Sequence, residues 1–162
     1  MNKVVSILDS LLSKFCIFLT VILVACVVWQ VFSRYVLSTP STVTDEMARF
    51  LFIWVGLMGA AYTLGQKKHL AMDFLLMSLE GRSKASLQFI IDLACVFFAG
   101  VVMLYGGGTL MEKTLSVGQL SPALGVQMGL IYLALPLSGF FMLAYLLRDL
   151  WASLQTFAFS HH

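Results

Sequence analysis

The chain has 162 residues, 60% of them hydrophobic and only 11% charged, with a mean hydropathy of +0.93 and a formal net charge of +2. A soluble domain carries about 25% charged residues, so this composition cannot clothe a water-facing surface, and so small and scattered a basic excess excludes a nucleic-acid interface. Cys16, Cys26 and Cys95 all fall in apolar stretches with no C-x-x-C pair, which excludes thiol–disulfide chemistry and leaves them as small packing residues.

Four apolar stretches are long enough to cross a bilayer: residues 15–33, 50–66, 93–111, and part of the tract 114–147. A hydrocarbon core about 30 Å thick takes roughly 20 helical residues, and inside lipid the backbone must satisfy its own hydrogen bonds, so each stretch has to be helical. The expected fold is an all-α integral membrane protein. Its four transmembrane helices fall at about 11–37, 44–66, 85–111 and 126–148, with interfacial segments beside them. These crossings and their loops occupy nearly the whole length as a single membrane domain.

In chain order, residues 1–14 place Val4, Val5, Leu8, Leu11 and Leu12 at helical spacing, which suits a lead-in lying at the membrane surface. The apolar run that follows is longer than that of a signal peptide, and no small-residue cleavage site comes after Trp29. Leu23-Val24-Ala25-Cys26 has the look of a lipoprotein box, but the residues after Cys26 stay apolar. The first segment therefore reads as an uncleaved membrane helix. Ser38-Thr39-Pro40-Ser41-Thr42 is a breaker-rich turn, and Thr42 three residues before Asp45 is a loose capping-box match for the start of the second helix. Residues 70–80 are too short to span and read as an interfacial segment, with Asp73 and Glu80 near its ends. Gly118, Pro122 and Gly125 interrupt the last apolar tract, so residues 115–124 are expected as a loop or half-buried segment before helix four. Nothing in the sequence repeats convincingly, which removes support for the inverted-repeat plan of self-contained transporters.

Lys and Arg distribute unevenly about these helices. The N-terminus, second connection and C-terminus hold seven of them, against three in the first and third connections. Positive residues are retained in the cytoplasm, so both termini are expected there.

Few residues could carry chemistry. Asp45, Glu46 and Arg49 can share a helix face where the second helix enters lipid. Three readings stand open: a solvated helix start, a fixed contact to Arg34 or a partner subunit, and a proton or ion site. Arg34 and Tyr35 close the first helix as ordinary interface anchors, with a lipid headgroup or carboxylate as the alternative partner of Arg34. Asp92 is an acidic residue within a spanning segment and so a functional candidate by default, although Gln88 one turn away can pair with it. His69 sits alone at the edge of helix two and cannot supply the axial ligands of a membrane haem; His161 and His162 end the chain. No metal cluster, nucleophile–base pair or phosphate loop is visible, and no cofactor is expected. Gly56-x-x-x-Ala60, Ala61-x-x-x-Gly65 and Gly125-x-x-x-Gly129, together with Gly59, have the spacing that lets membrane helices approach closely. With Trp29 and Trp54 well inside their helices, they suggest surfaces that face other protein.

The run Asp45-Glu46-Met47-Ala48-Arg49-Phe50-Leu51-Phe52-Ile53-Trp54, continuing to Gly56, Gly59 and Ala60, resembles the small membrane subunit of TRAP transporters, the DctQ family. Phe32-Ser33-Arg34-Tyr35, His69 with Asp73, Ser121-Pro122-Ala123-Leu124-Gly125, Tyr132 and Pro136 follow the same family's order, and the likeness covers roughly residues 15–150. Gln127 departs from it, since the family often has Pro at the start of helix four. The resemblance implies a three-part bacterial inner-membrane system. A periplasmic binding protein captures an organic anion such as a C4-dicarboxylate, sialic acid or a related sugar acid. A large membrane subunit holds the substrate and sodium sites and moves them. The small subunit, surrounded by phospholipid, is a fixed scaffold for the large one rather than an enzyme. The rival classes are a membrane anchor of a respiratory enzyme and a small self-sufficient transporter.

Overall fold

The structure, a computed structural model, describes residues 2–66 and 82–159. The helices are α1 (Asn2–Tyr35), α2 (Thr42–Gly65), α3 (Arg82–Phe97), a π-helical stretch Phe98–Gly106, α4 (Gly107–Val117), α5 (Met128–Tyr132) and α6 (Ala134–Phe159). Among the described residues four spans are long and apolar enough to cross a membrane: Ser6–Tyr35, Thr42–Gly65, Ile90–Val117 and Met128–Asp149. The protein is thus a multi-pass helical membrane protein. The interfacial segment expected at 70–80, with His69 and Asp73, lies outside the described residues, as do His161 and His162.

Several boundaries differ from the sequence expectation, each for a local physical reason. The lead-in is no separate surface segment: α1 runs unbroken from Asn2, about 50 Å at 1.5 Å per residue. Its apolar spacing continues in phase, and Leu12 is buried in the central core. The second helix starts at Thr42 after Ser41, whose side chain makes no cap bond. The capping box does not form because the Asp45 carboxylate is taken by Gln30 and Arg49. The third span continues past residue 111 to Val117, so the stretch expected as a loop from 115 begins as helix. It stops at Gly118, whose φ of 68° is open to glycine. There Gly118 N–H donates to the Leu115 carbonyl at 3.0 Å and Gln119 N–H to the Thr114 carbonyl at 3.4 Å, the paired bonds of a Schellman ending. The fourth span is interrupted between α5 and α6, at Leu133. Pro136 has no N–H to return to Tyr132 one turn back, which loosens the helix at that point.

The backbones approach one another in the order α1, α2, α6, third span, and among the described elements α1 approaches α2 alone. Leu12, Met58, Ala61, Ala99, Met103, Met142, Tyr145 and Leu146 form the core along this row. A tight seam joins the third span to α6. A Cβ on Gly139 would lie 2.8 Å from Met103 Cβ and 3.1 Å from the Ala99 carbonyl, and one on Gly107 would lie 2.6 Å from Leu135 Cβ. Only glycine permits such approach, the small-residue packing that holds helices together where lipid offers no hydrophobic drive. The π-helical stretch faces this seam, and Ser138, wholly buried, satisfies its hydroxyl on the Leu135 carbonyl at 2.9 Å.

Two ends of the molecule follow from this course. The loop end carries the 36–41 and 118–127 connections. The terminal end carries the start of α1, the end of α2 and the later turns of α6.

Candidate functional site

The polar side chains of the loop end gather where α2 begins. Asp45 and Glu46 are neighbours in sequence, but a helix turns about 100° per residue, so they meet different surroundings. Asp45 accepts from Gln30 of α1 through one carboxylate oxygen and from Arg49 through the other, at 2.6 Å. The Asp45–Arg49 pair is largely exposed and local, one turn apart on the same helix.

Glu46 turns inward and is only 6% exposed. Its Oε2 accepts the backbone N–H of Ala123 at 2.9 Å and of Leu124 at 2.8 Å. A buried carboxylate is tolerable only when hydrogen-bonded, and bonds to a charged acceptor are stronger than neutral ones. The loop is shaped to offer these donors. Ser121 N–H donates to the Val126 carbonyl at 2.8 Å, Gly125 N–H to the Ser121 carbonyl at 3.0 Å, and Met128 N–H to the Gln119 carbonyl at 2.9 Å. Pro122 has no N–H to place, and Gly125 adopts a φ of 64°, so the turn closes with the Ala123 and Leu124 amides directed at α2. The result is a small concave anion site made of successive amides, already filled by the protein's own carboxylate.

The other connection is fixed similarly. Ser33, buried at the end of α1, donates its hydroxyl to the Thr39 carbonyl and accepts the Thr39 N–H on its own carbonyl at 3.2 Å. This turn holds Ser38 at a φ of 54°. Arg34 lies beside it, exposed, at a pocket of about 90 Å³ shared with Gln30, Pro40, Ser41, Thr42 and Asp45. Arg34 makes no ion pair among the described residues, so the structure does not join it to the carboxylates.

Sequence reasoning missed the polar cluster at the terminal end. Tyr145 donates its hydroxyl to Asp9 of α1 at 2.6 Å. Arg148 stacks 5.4 Å from the centre of the Tyr145 ring, donates to the Gly65 carbonyl at 3.2 Å and pairs with Asp149 at 2.7 Å. Its guanidinium thus sits on a carbonyl at the end of α2, where the helix dipole favours a cation. Asp9 reads in sequence as one more polar residue of the lead-in, and Arg148 as a topology charge. The three-residue spacing of Tyr145 and Arg148, one helical turn, was the signal available.

The remaining candidates are dispersed. Trp54 packs edge-on against Phe15 of α1, ring centres 6.2 Å apart. Asp92 accepts from Gln88 at 2.8 Å. Of the expected packing positions, Ala60 lies against the core, and Gly129 passes so close to the third span that a Cβ would be 3.1 Å from the Met111 carbonyl. Gly125 serves the turn instead. Gly56 and Gly59 make no close approach to another described residue, since a Cβ on either would meet nothing within 4 Å. By contrast Gly65, in the motif with Ala61, lies under the Tyr145 ring, 2.7 Å from a built Cβ.

Among the described residues no three His, Cys, Asp or Glu side chains come together as a metal site. Fold and polar contacts define a multi-pass helical membrane protein whose buried polar groups hold its own connections. The family model described as "Tripartite ATP-independent periplasmic transporters, DctQ component" matches residues 23–156. A candidate TRAP transporter small permease protein of Haemophilus influenzae is 25% identical over 150 residues, covering 93% of this chain and 91% of that one. The sialic acid TRAP transporter small permease protein of Vibrio cholerae is 29% identical over 84 residues, 52% of this chain and 49% of that one. The isethionate TRAP transporter permease protein DctMQ of Oleidesulfovibrio alaskensis is 31% identical over 107 residues, 66% of this chain but only 17% of that one. The chain belongs to the DctQ family, the small permease component of TRAP transporters. It is a transporter component and not an enzyme, and the respiratory-anchor alternative falls away.

Proposed function

We propose that this chain is the fixed brace of a TRAP transporter in a bacterial inner membrane, with both termini in the cytoplasm. It supports a large membrane subunit that carries an organic anion and sodium, supplied by a periplasmic binding protein. No resident cofactor belongs to this chain, and sodium binds the large subunit.

The observation that carries this reading is the use made of the acidic groups. Glu46 is buried on two amides of the 118–127 loop, Asp45 is held by Gln30 and Arg49, Asp92 by Gln88, and Asp9 by Tyr145. A sodium or proton site needs carboxylates that can change partners during the cycle, whereas Glu46, Asp45 and Asp9 tie separate helices and loops together and Asp92 is engaged within its own helix. The relatives add two supports. The isethionate protein is much longer than this chain, consistent with a large partner fused in the same polypeptide. The sialic acid and isethionate proteins are similarly close to this chain, although one name carries a carboxylate and the other a sulfonate. Substrate choice is therefore assigned to other components.

The test is uptake into proteoliposomes that contain this chain, its large subunit and the binding protein under an inward sodium gradient, each left out in turn. Transport lost on omitting this chain, with none by this chain alone, is expected. Flux through this chain alone would overturn the brace and return Asp92 and the Asp45–Arg49 cluster to consideration as ion sites.

A further inference from the structure

Tyr105 stands in a place where lipid alone does not satisfy it. It lies near the middle of the Ile90–Val117 span and is 75% exposed. Glu112 and Lys113, both exposed, mark the nearer membrane surface, about 10 Å away along the helix at 1.5 Å per residue. Side chains on a helix lean toward its N-terminus, so the phenol points away from that surface and deeper into the span. Its hydroxyl makes no hydrogen bond to a described residue. The nearby Thr109 hydroxyl is directed to the Tyr105 carbonyl at 2.9 Å instead.

A tyrosine facing lipid belongs in the interfacial belt, its ring in the apolar zone and its hydroxyl in the headgroups. Tyr35, 77% exposed at the end of α1, has that position. The Tyr145 phenol is bonded to Asp9. Tyr105 has no acceptor among the described residues, and an unsatisfied polar group in hydrocarbon is unfavourable by several kcal/mol. Around it Phe98, Val101 and Val102 are about half exposed, and Gly108 has open space where a Cβ would stand. Among the described residues the third span is also at the edge of the row, with only the fourth span beside it.

We propose that the Tyr105 face of the third span is where the large membrane subunit docks, through a transmembrane helix that presents a hydrogen-bond acceptor at mid-membrane depth. This rests on the brace reading and adds the face and the chemistry of the contact. A second copy of this chain fits less well. Two phenols meeting across a two-fold axis leave at least one proton unpaired, and Phe98, Val101 and Val102 supply no acceptor.

The test places the photo-crosslinking residue p-benzoylphenylalanine at position 105, and separately at positions 17 and 21, in the chain co-expressed with its large subunit. Ile17 and Val21 are 61% and 63% exposed on α1, at the opposite edge of the row. Crosslinking to the large subunit from 105 and not from 17 or 21 is expected. Tyr105→Phe, which keeps the ring and removes only the hydroxyl, should weaken assembly about threefold, the average size of an interhelical membrane hydrogen bond. Crosslinks to the large subunit from 17 or 21 but not 105, a crosslink from 105 to a second copy, or Tyr105→Phe assembling as wild type would each overturn the proposal. Failure of the unmodified chain to co-purify with the large subunit would overturn the brace reading itself, and this docking face with it.

Discussion

The two ends of the molecule are both held by polar contacts between residues far apart in sequence, but they are built differently. At the loop end one carboxylate, Glu46, accepts two backbone amides 77 and 78 residues away. At the terminal end Asp9, Tyr145, Arg148 and the Gly65 carbonyl link α1, α2 and α6 through side chains. A loop of backbone donors depends on a single acceptor, because amides cannot swing to new partners. A side-chain cluster near the membrane surface shares its contacts and can exchange them for water. The first arrangement is rigid and fragile, the second adaptable.

That contrast can be broken at its strongest point first. Glu46→Ala leaves two half-buried N–H groups without their acceptor, at about 1–3 kcal/mol each, and should destabilise the chain by about 3 kcal/mol. Thermal unfolding of the purified protein in detergent would report this, along with faster hydrogen exchange at Ala123 and Leu124. Exchange at those amides unchanged from wild type would mean that the loop is held by its internal turn alone. Arg148→Ala should lose less, about 1–2 kcal/mol, because it removes a single hydrogen bond to the Gly65 carbonyl while Tyr145 keeps Asp9. A loss equal to that of Glu46→Ala would erase the distinction between the ends. Arg49→Ala removes only an exposed pair one turn apart and should shift unfolding by about 0.3–0.5 kcal/mol in the chain alone. A larger fall in recovery of the complex than in the chain's own stability would sharpen the comparison, since it would place Arg49 in a contact with another subunit.

Glycine shows how far hydropathy and spacing could be read. The three small-residue motifs look alike in sequence, but among the described residues only Gly65 and Gly129 of their glycines meet a neighbouring helix. The seam between the third span and α6 uses Gly107 and Gly139, which no motif singled out. Lipid tails are as apolar as leucine, so a face against lipid and a face against a helix have the same composition. A glycine's neighbour lies on another segment and leaves no trace in its own. The carboxylates show the same limit: Asp45 and Glu46 read as one acidic pair, and only the helix rotation separates an exposed local partner from a buried distant one.

By itself the sequence determined the class of protein, because a bilayer imposes one length and one backbone solution on any apolar stretch, and four such stretches were visible. It also carried the family, through local runs such as Asp45–Trp54 and Ser121–Gly125 whose spacing does not depend on how the chain folds back. The tertiary structure alone decided the row order α1, α2, α6 and third span, the inward turn of Glu46, the cluster around Arg148 and the exposed face of Tyr105. Each of these is a relation between residues on separate segments, set by close packing and by the need to pair every buried polar group, and neither requirement is written in the residues taken one segment at a time.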